Sequence, residues 1–222
     1  MKPIYIPTQS VGDWQALLAD PERHWRVGFS ARSLAYAWEE AEGFPVTVGS
    51  VLRQSFKNIE PLLILPEHRV PLPGGKAASQ NDAWVLAKSG VDLISIAVEG
   101  KVLEPFGPTV EEWNPYASTG RQKRFAFLRE LLQLDKIPHK TRYQLMHRTA
   151  SAILEAQRFN AQHAILLIHS FSPDNKWFDD FSMFVELFGQ TARVNSIVSA
   201  EGNRSPNLHF AWIQGNEIYL KR

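Results

Sequence analysis

The residues in this sequence best suited to chemistry are Asp82, Glu99 and Lys101, the last two within the run VEGK at 98–101. The surrounding segment DLISIAVEGKV has the composition of a strand, and side chains alternate along a strand. Ile94, Ile96, Val98 and Val102 then face a core, while Ser95, Ala97, Glu99 and Lys101 face the other way. The spacing E-x-K thus puts a carboxylate and an ammonium on one face, roughly 6 to 7 Å apart at the backbone. If the turn in KSGVD is centred between Gly90 and Val91, Asp82 falls directly opposite Glu99, with Cβ atoms about 5 Å apart. Two carboxylates that close repel unless a cation sits between them or one keeps its proton. Ser95 and Ala97 are small and leave space beside them. Two hard oxygen ligands with room for water are what Mg²⁺ prefers, with Mn²⁺ a substitute. A lysine alongside could orient or deprotonate an attacking water and hold a phosphate, and the metal would lower that water's pKa. The constellation is coherent for phosphodiester hydrolysis. It depends on register, because a slip of one residue turns Asp82 to the wrong face. The plain alternative is a solvated Glu99–Lys101 pair, worth almost nothing in stability.

These residues need elements to position them. The segment VGDWQALLADPERHW suggests a short helix broken at Pro21. Ser30 can cap a helix in which Leu34, Ala35, Trp38 and Ala41 recur at helical spacing, with GFP at 43–45 as its stop. Glu39 and Glu40 lie near the end of that helix. A second short helix is expected from about 49 to 57, followed by the extended, Pro-punctuated runs PLLILP and RVPLP. DAWVLAKSGVDLISIAVEGKV reads as a β-hairpin. Helices are expected over 121–134 and about 141–162, separated by Pro138, the second with a buried stripe of Leu145, Thr149, Ala152, Ala156 and Phe159. HAILLIHSF reads as a buried strand, WFDDFSMFVELFG as an amphipathic helix, and NLHFAWIQGNEIYL as a terminal hairpin around Gln214, Gly215 and Asn216. No repeat or linker interrupts the chain, so a single domain over 1–222 is expected. The element order favours an α/β (α+β) mixed sheet with helices on both faces.

Set on these elements, ND at 81–82 followed by VEGK at 98–101 resembles the PD-(D/E)XK phosphodiesterase superfamily, the restriction-endonuclease-like fold. The resemblance covers about 30–171: a helix, a β-meander with the D…ExK signature, then a helix and a further strand. It implies a metal-dependent nuclease in which Asp82 and Glu99 hold Mg²⁺ and Lys101 positions water and phosphate. Many members add a glutamate from the first core helix, for which Glu39 and Glu40 are the matching candidates. Gln144 matches the start of the family's Q-x-x-x-Y motif, but Arg148 stands where tyrosine would be, and Asn81 replaces the proline. The runner-up is a catalytically silent module on the same fold that binds nucleic acid or a protein.

Charge sharpens the partner class. The net charge is only +1, yet between Arg121 and Arg148 eight Lys and Arg stand against Glu130 and Asp135. Arg121, Lys123, Arg124, Lys140, Arg142, Gln144 and Arg148 are the candidate nucleic-acid contacts, DNA ahead of RNA, with a homodimer left open. The bland alternative is two solvated helix faces. Trp113 and Tyr116 are candidates for base stacking. With no cysteine, disulfides and thiolate metal sites are excluded, in keeping with a reducing cytoplasm. MKPIYIPTQS has no apolar signal region, and AILLI at 164–168 is too short to span a bilayer. PGGKAAS at 73–79 lacks the spacing of a phosphate loop and reads as a flexible loop that could close over a substrate. His169 ends a buried strand and reads as a hydrogen-bonded core residue.

Overall fold

The computed structural model describes residues 7–222. The first six residues of the N-terminal stretch read above lie outside them. The chain begins with helices α1 (Val11–Leu17), α2 (Pro21–His24), α3 (Ser30–Glu39) and α4 (Val46–Leu52). Strands β1 (Glu60–Pro66), β2 (Arg69–Val70), β3 (Ser79–Gln80), β4 (Ala83–Ser89) and β5 (Asp92–Lys101) follow. Then come α5 (Val110–Trp113), α6 (Thr119–Leu132), α7 (Tyr143–Arg158), β6 (His163–Ser170), α8 (Phe178–Glu186), β7 (Ser196–Ser199) and β8 (Asn207–Gln214).

The hairpin has the register expected of it. Pairing runs from Ser89↔Asp92 at the two-residue turn to Ala83↔Val98, which puts Asp82 beside Glu99. Gly90 takes a positive φ of 62° there, as a tight hairpin turn demands. The main sheet has six strands in the order β1-β4-β5-β6-β8-β7, and β5, β6 and β8 run parallel. The pair β2–β3 carries the β1–β4 register onward.

Alternation sorts the strand residues between two cores. Ile94, Ile96, Val98, Ile165, Leu167 and Ile213 face one side, where Trp14 of α1, Leu34 and Trp38 of α3 and Val48 of α4 cover them. Ala97, Leu166, Ile168, Phe210 and Trp212 face the other, beneath Leu128 of α6, Leu145 and Ala152 of α7 and Phe184 of α8. The result is a mixed α/β fold with helices on both faces. Each large side chain so buried contributes about 1.5–3 kcal/mol.

Three local expectations need correction. The space beside Ser95 and Ala97 is filled by the Trp84 indole, whose Nε1 donates to Ser95 Oγ at 2.9 Å. No hairpin forms around Gly215. That chain end turns into a 3-10 helix, Glu217–Lys221, capped by Asn216, and the partner of β8 is the preceding β7. Ser30 is the first residue of α3, not its cap, and its N–H is met by the Glu104 carboxylate at 3.1 Å. No helix among the described residues is long and apolar enough to cross a membrane.

Candidate functional site

The two antiparallel ladders cross at Asp82. The β4–β5 register sets it opposite Glu99, and the β2–β3 register sets it opposite Glu67, whose N–H donates to the Asp82 carbonyl at 3.0 Å. Three carboxylates therefore stand in a row across three adjacent strand segments. Directly opposed residues have Cβ atoms about 5 Å apart, so the row concentrates negative charge. Glu67 sits there at φ 52°, a left-handed conformation that a side chain disfavours. The row forms one wall of a cleft of about 690 Å³. Its other walls come from Arg23, His24 and Phe29, from loop 104–108, and from Tyr143, Gln144, His147 and Arg148 of α7.

Glu99 is enclosed. It is 2% exposed, and both its oxygens are taken. Oε1 accepts from Lys101 Nζ and from Gln144 Nε2, each at 2.7 Å, and Oε2 accepts from Arg148 Nε at 2.5 Å. Residues four apart share a helix face, which is why Gln144 and Arg148 arrive together. The Glu99–Lys101 pair is thus a buried one, with Lys101 Nζ also lying 4.9 Å from the centre of the Phe106 ring. Burial pushes the Glu99 carboxyl up, but Arg148 and Lys101 more than offset it and hold the pKa at about 2. Breaking such a pair from one side costs about 3–5 kcal/mol, because a buried charge is left alone.

The other two carboxylates behave oppositely. Burial, with Glu99 beside it, raises Asp82 to about 7 despite Arg148, Lys101 and a 2.7 Å hydrogen bond from Gly100 N. Burial and Asp82 raise Glu67 to about 8 despite its bond from Gln80. Glu67 and Asp82 each keep one oxygen without a hydrogen bond among the described residues. That donor set fits one hard divalent cation at Glu67 and Asp82, whereas both oxygens of Glu99 already accept hydrogen bonds. Among the described residues no three His, Asp or Glu side chains form a ready metal cage.

His147 completes the wall. Its Nδ1 lies 2.8 Å from Ser79 Oγ and 3.4 Å from Arg148 Nη1. A guanidinium only donates, so Nδ1 accepts and the ring proton sits on Nε2. Burial and Arg148 hold His147 well below the usual histidine range, so it is neutral.

Of the residues singled out from sequence, Asp82, Glu99, Lys101, Gln144 and Arg148 come together. Glu39 and Glu40 do not join them. Glu39 accepts from Trp14 Nε1 at 2.6 Å and from Thr8, and Glu40 lies 3.7 Å from Arg222, because the end of α3 points away from the row. Arg124 is buried inside the fold, where it donates to the carbonyls of Leu72, Pro73, Gly75 and Ala77. The 73–79 loop is accordingly clamped, not free. Gly74 allows this close approach: its φ is 83°, and a Cβ there would meet the Gly120 carbonyl oxygen at 2.2 Å. Arg142 donates to Asp180 at 2.8 Å and to Gly107 O at 2.9 Å, fixing the cleft loop. Arg121 lies over Trp113, while Lys123 and Lys140 are exposed. Trp113 is stacked on Tyr143 at 4.1 Å, and Tyr116 stands 74% exposed. His169 is the core residue expected, accepting from Trp38 Nε1 at 3.2 Å.

Glu67 escaped the sequence reading. Counting across the 71–78 loop as a β2–β3 hairpin would have set it opposite Asp82. No curated protein and no solved structure matches the chain. A family model matches residues 7–217, nearly the whole length, and by that match the chain belongs to the family described as a domain of unknown function, DUF6946.

Proposed function

We propose that the protein is a metal-dependent nuclease of the PD-(D/E)XK type, hydrolysing phosphodiester bonds of nucleic acid in the cleft. The observation that carries this reading is the row Glu67–Asp82–Glu99, flanked by Lys101 and open to a cavity large enough for a nucleotide. Glu67 and Asp82 would hold Mg²⁺ or Mn²⁺, giving up the protons that burial and mutual repulsion keep on them. When bound, the ion supplies a water of lowered pKa and offsets charge growing on the phosphate. Lys101 lies next to that position and orients the water, with Glu99 fixing its ammonium. The neutral His147 offers an N–H to the cleft. Loop 104–108 and Phe29 narrow the opening and limit bulk water. Exposed Lys123 and Lys140 extend the positive surface for a strand, DNA ahead of RNA, and the cysteine-free chain suits a reducing cytoplasm.

The test is incubation of purified protein with single- and double-stranded DNA and RNA, with Mg²⁺, Mn²⁺ or EDTA. Metal-dependent cutting is expected, and Lys101→Ala should abolish it while the melting curve stays cooperative, since Glu99 keeps Arg148 and Gln144. The complete engagement of Glu99 favours a second reading, a silent module that binds nucleic acid. Salt-sensitive oligonucleotide affinity with no cutting under any metal would select it.

A further inference from the structure

Arg148 stands beside Glu99 where a ligand carboxylate would meet a metal, and it brings its own positive charge. Nε is held by Glu99 and Nη1 by Ser79 at 3.2 Å, while Nη2 has no hydrogen bond among the described residues. The side chain is only 8% exposed, yet it lines the cleft, so that small opening faces the cavity. Lys101 is held by the other oxygen of the same carboxylate and lines the cleft beside it. One buried anion thus fixes two cations side by side. Both leave N–H groups unspent on the cavity side, and a planar guanidinium next to an ammonium matches the oxygens of a phosphate.

We infer that Arg148 and Lys101 form a fork for one phosphate of a nucleic-acid strand, and that Glu99 is a positioning residue that aims the fork and binds no metal. Phosphate as the ligand rests on the nuclease reading. The division of labour within the row does not, because it follows from which oxygens are occupied. Among the described residues of the row, Glu67 and Asp82 are the pair with an oxygen free of hydrogen bonds for a divalent ion, and Gln144 helps hold Glu99 on the fork.

Two binding measurements test this. In EDTA, fluorescence anisotropy of a labelled single-stranded oligodeoxynucleotide should report salt-dependent binding to the full chain. Arg148→Gln should weaken it at least tenfold. Because that variant takes the partner from Glu99 Oε2, the double variant Glu99→Gln with Arg148→Gln, of unchanged net charge, is measured beside it and should show the same loss with a cooperative melt. Separately, Mn²⁺ binding by calorimetry should be within twofold of wild type in Glu99→Gln, and should disappear in Asp82→Asn with Glu67→Gln. A tenfold loss of Mn²⁺ affinity in Glu99→Gln would make Glu99 a ligand and overturn the assignment. Oligonucleotide binding by the folded double variant equal to wild type, or none by wild type, would overturn the fork. Oligonucleotide binding lost as expected but no cutting with any metal would sink the nuclease reading and leave the fork standing.

Discussion

Two polar clusters occupy opposite ends of the same parallel strands, and they manage charge in opposite ways. At the carboxyl end of β5, one buried carboxylate, Glu99, is shared between Lys101 and Arg148. At the amino end, Asp92, His163, His209 and Ser199 form a chain. His163 Nε2 lies 3.9 Å from the Asp92 carboxylate, its Nδ1 is 2.9 Å from His209 Nε2, and His209 Nδ1 is 2.9 Å from Ser199 Oγ. Burial lowers His163, and it lowers His209 to about 4, so these rings are neutral, with Phe56 packed edge-on against both. Imidazole can shed its charge to enter a core, and guanidinium cannot. The end that keeps charge is also the end with the cleft, at the strand termini where open α/β sheets place their ligands.

The largest effect expected from breaking this contrast is at the charged end. Arg148→Met should cost about 3–5 kcal/mol in urea unfolding and lower the melting point by about 10 °C. Adding Glu99→Gln together with Lys101→Met should recover most of it, since no buried charge is then left without a partner. At the neutral end the effect comes with acid. His209 has a folded pKa of about 4 against about 6.5 unfolded, so its contribution is complete above pH 6.5 and is lost as pH falls toward 4, about 3 kcal/mol in all. His209→Gln should flatten the stability–pH curve between 6.5 and 4. Some slope should remain, because His147 and His169 are also depressed.

A further effect runs the other way. Asp82 and Glu67 bind protons more tightly folded than unfolded, so stability falls as pH climbs from their ordinary values of about 4 and levels off only above their folded values of about 7 and 8. The loss between pH 6.5 and 8 should be about 1 kcal/mol, discounted for their partial exposure. Asp82→Asn with Glu67→Gln should remove the decline, and saturating Mg²⁺ should remove it in the wild type. The smallest effect is at the surface. Lys123→Glu and Lys140→Glu should leave stability within about 0.5 kcal/mol and lower the salt slope of oligonucleotide binding by about one each.

Much of the architecture could be read before folding, and the reasons are local. A two-residue turn set the β4–β5 register, alternation assigned Ile94, Ile96 and Val98 to one core, and a four-residue step placed Gln144 with Arg148. What could not be read depended on contacts distant in the chain. Glu67 reaches Asp82 only through the β2–β3 pairing across loop 71–78, which carries no tight-turn signal to fix its register. Arg124 looked like its solvated neighbours in composition, and only the carbonyls of the 72–77 loop show that it is interior. Glu39 had the right residue type, but helix rotation carried it to Trp14. For the same reason Glu99 and Lys101 were legible as a pair but not as an enclosed one, because what encloses them arrives from α7.

The left-handed backbone at Glu67 carries a consequence for how the family can drift. Glycine there would relieve roughly 1–2 kcal/mol of Cβ crowding and return about 0.5–1 kcal/mol of it as lost chain entropy. It would also delete an acid that the folded chain keeps protonated at some expense. The folded chain is therefore less stable at this position than a simpler residue would make it, and a positive charge settling against that carboxylate would close the deficit.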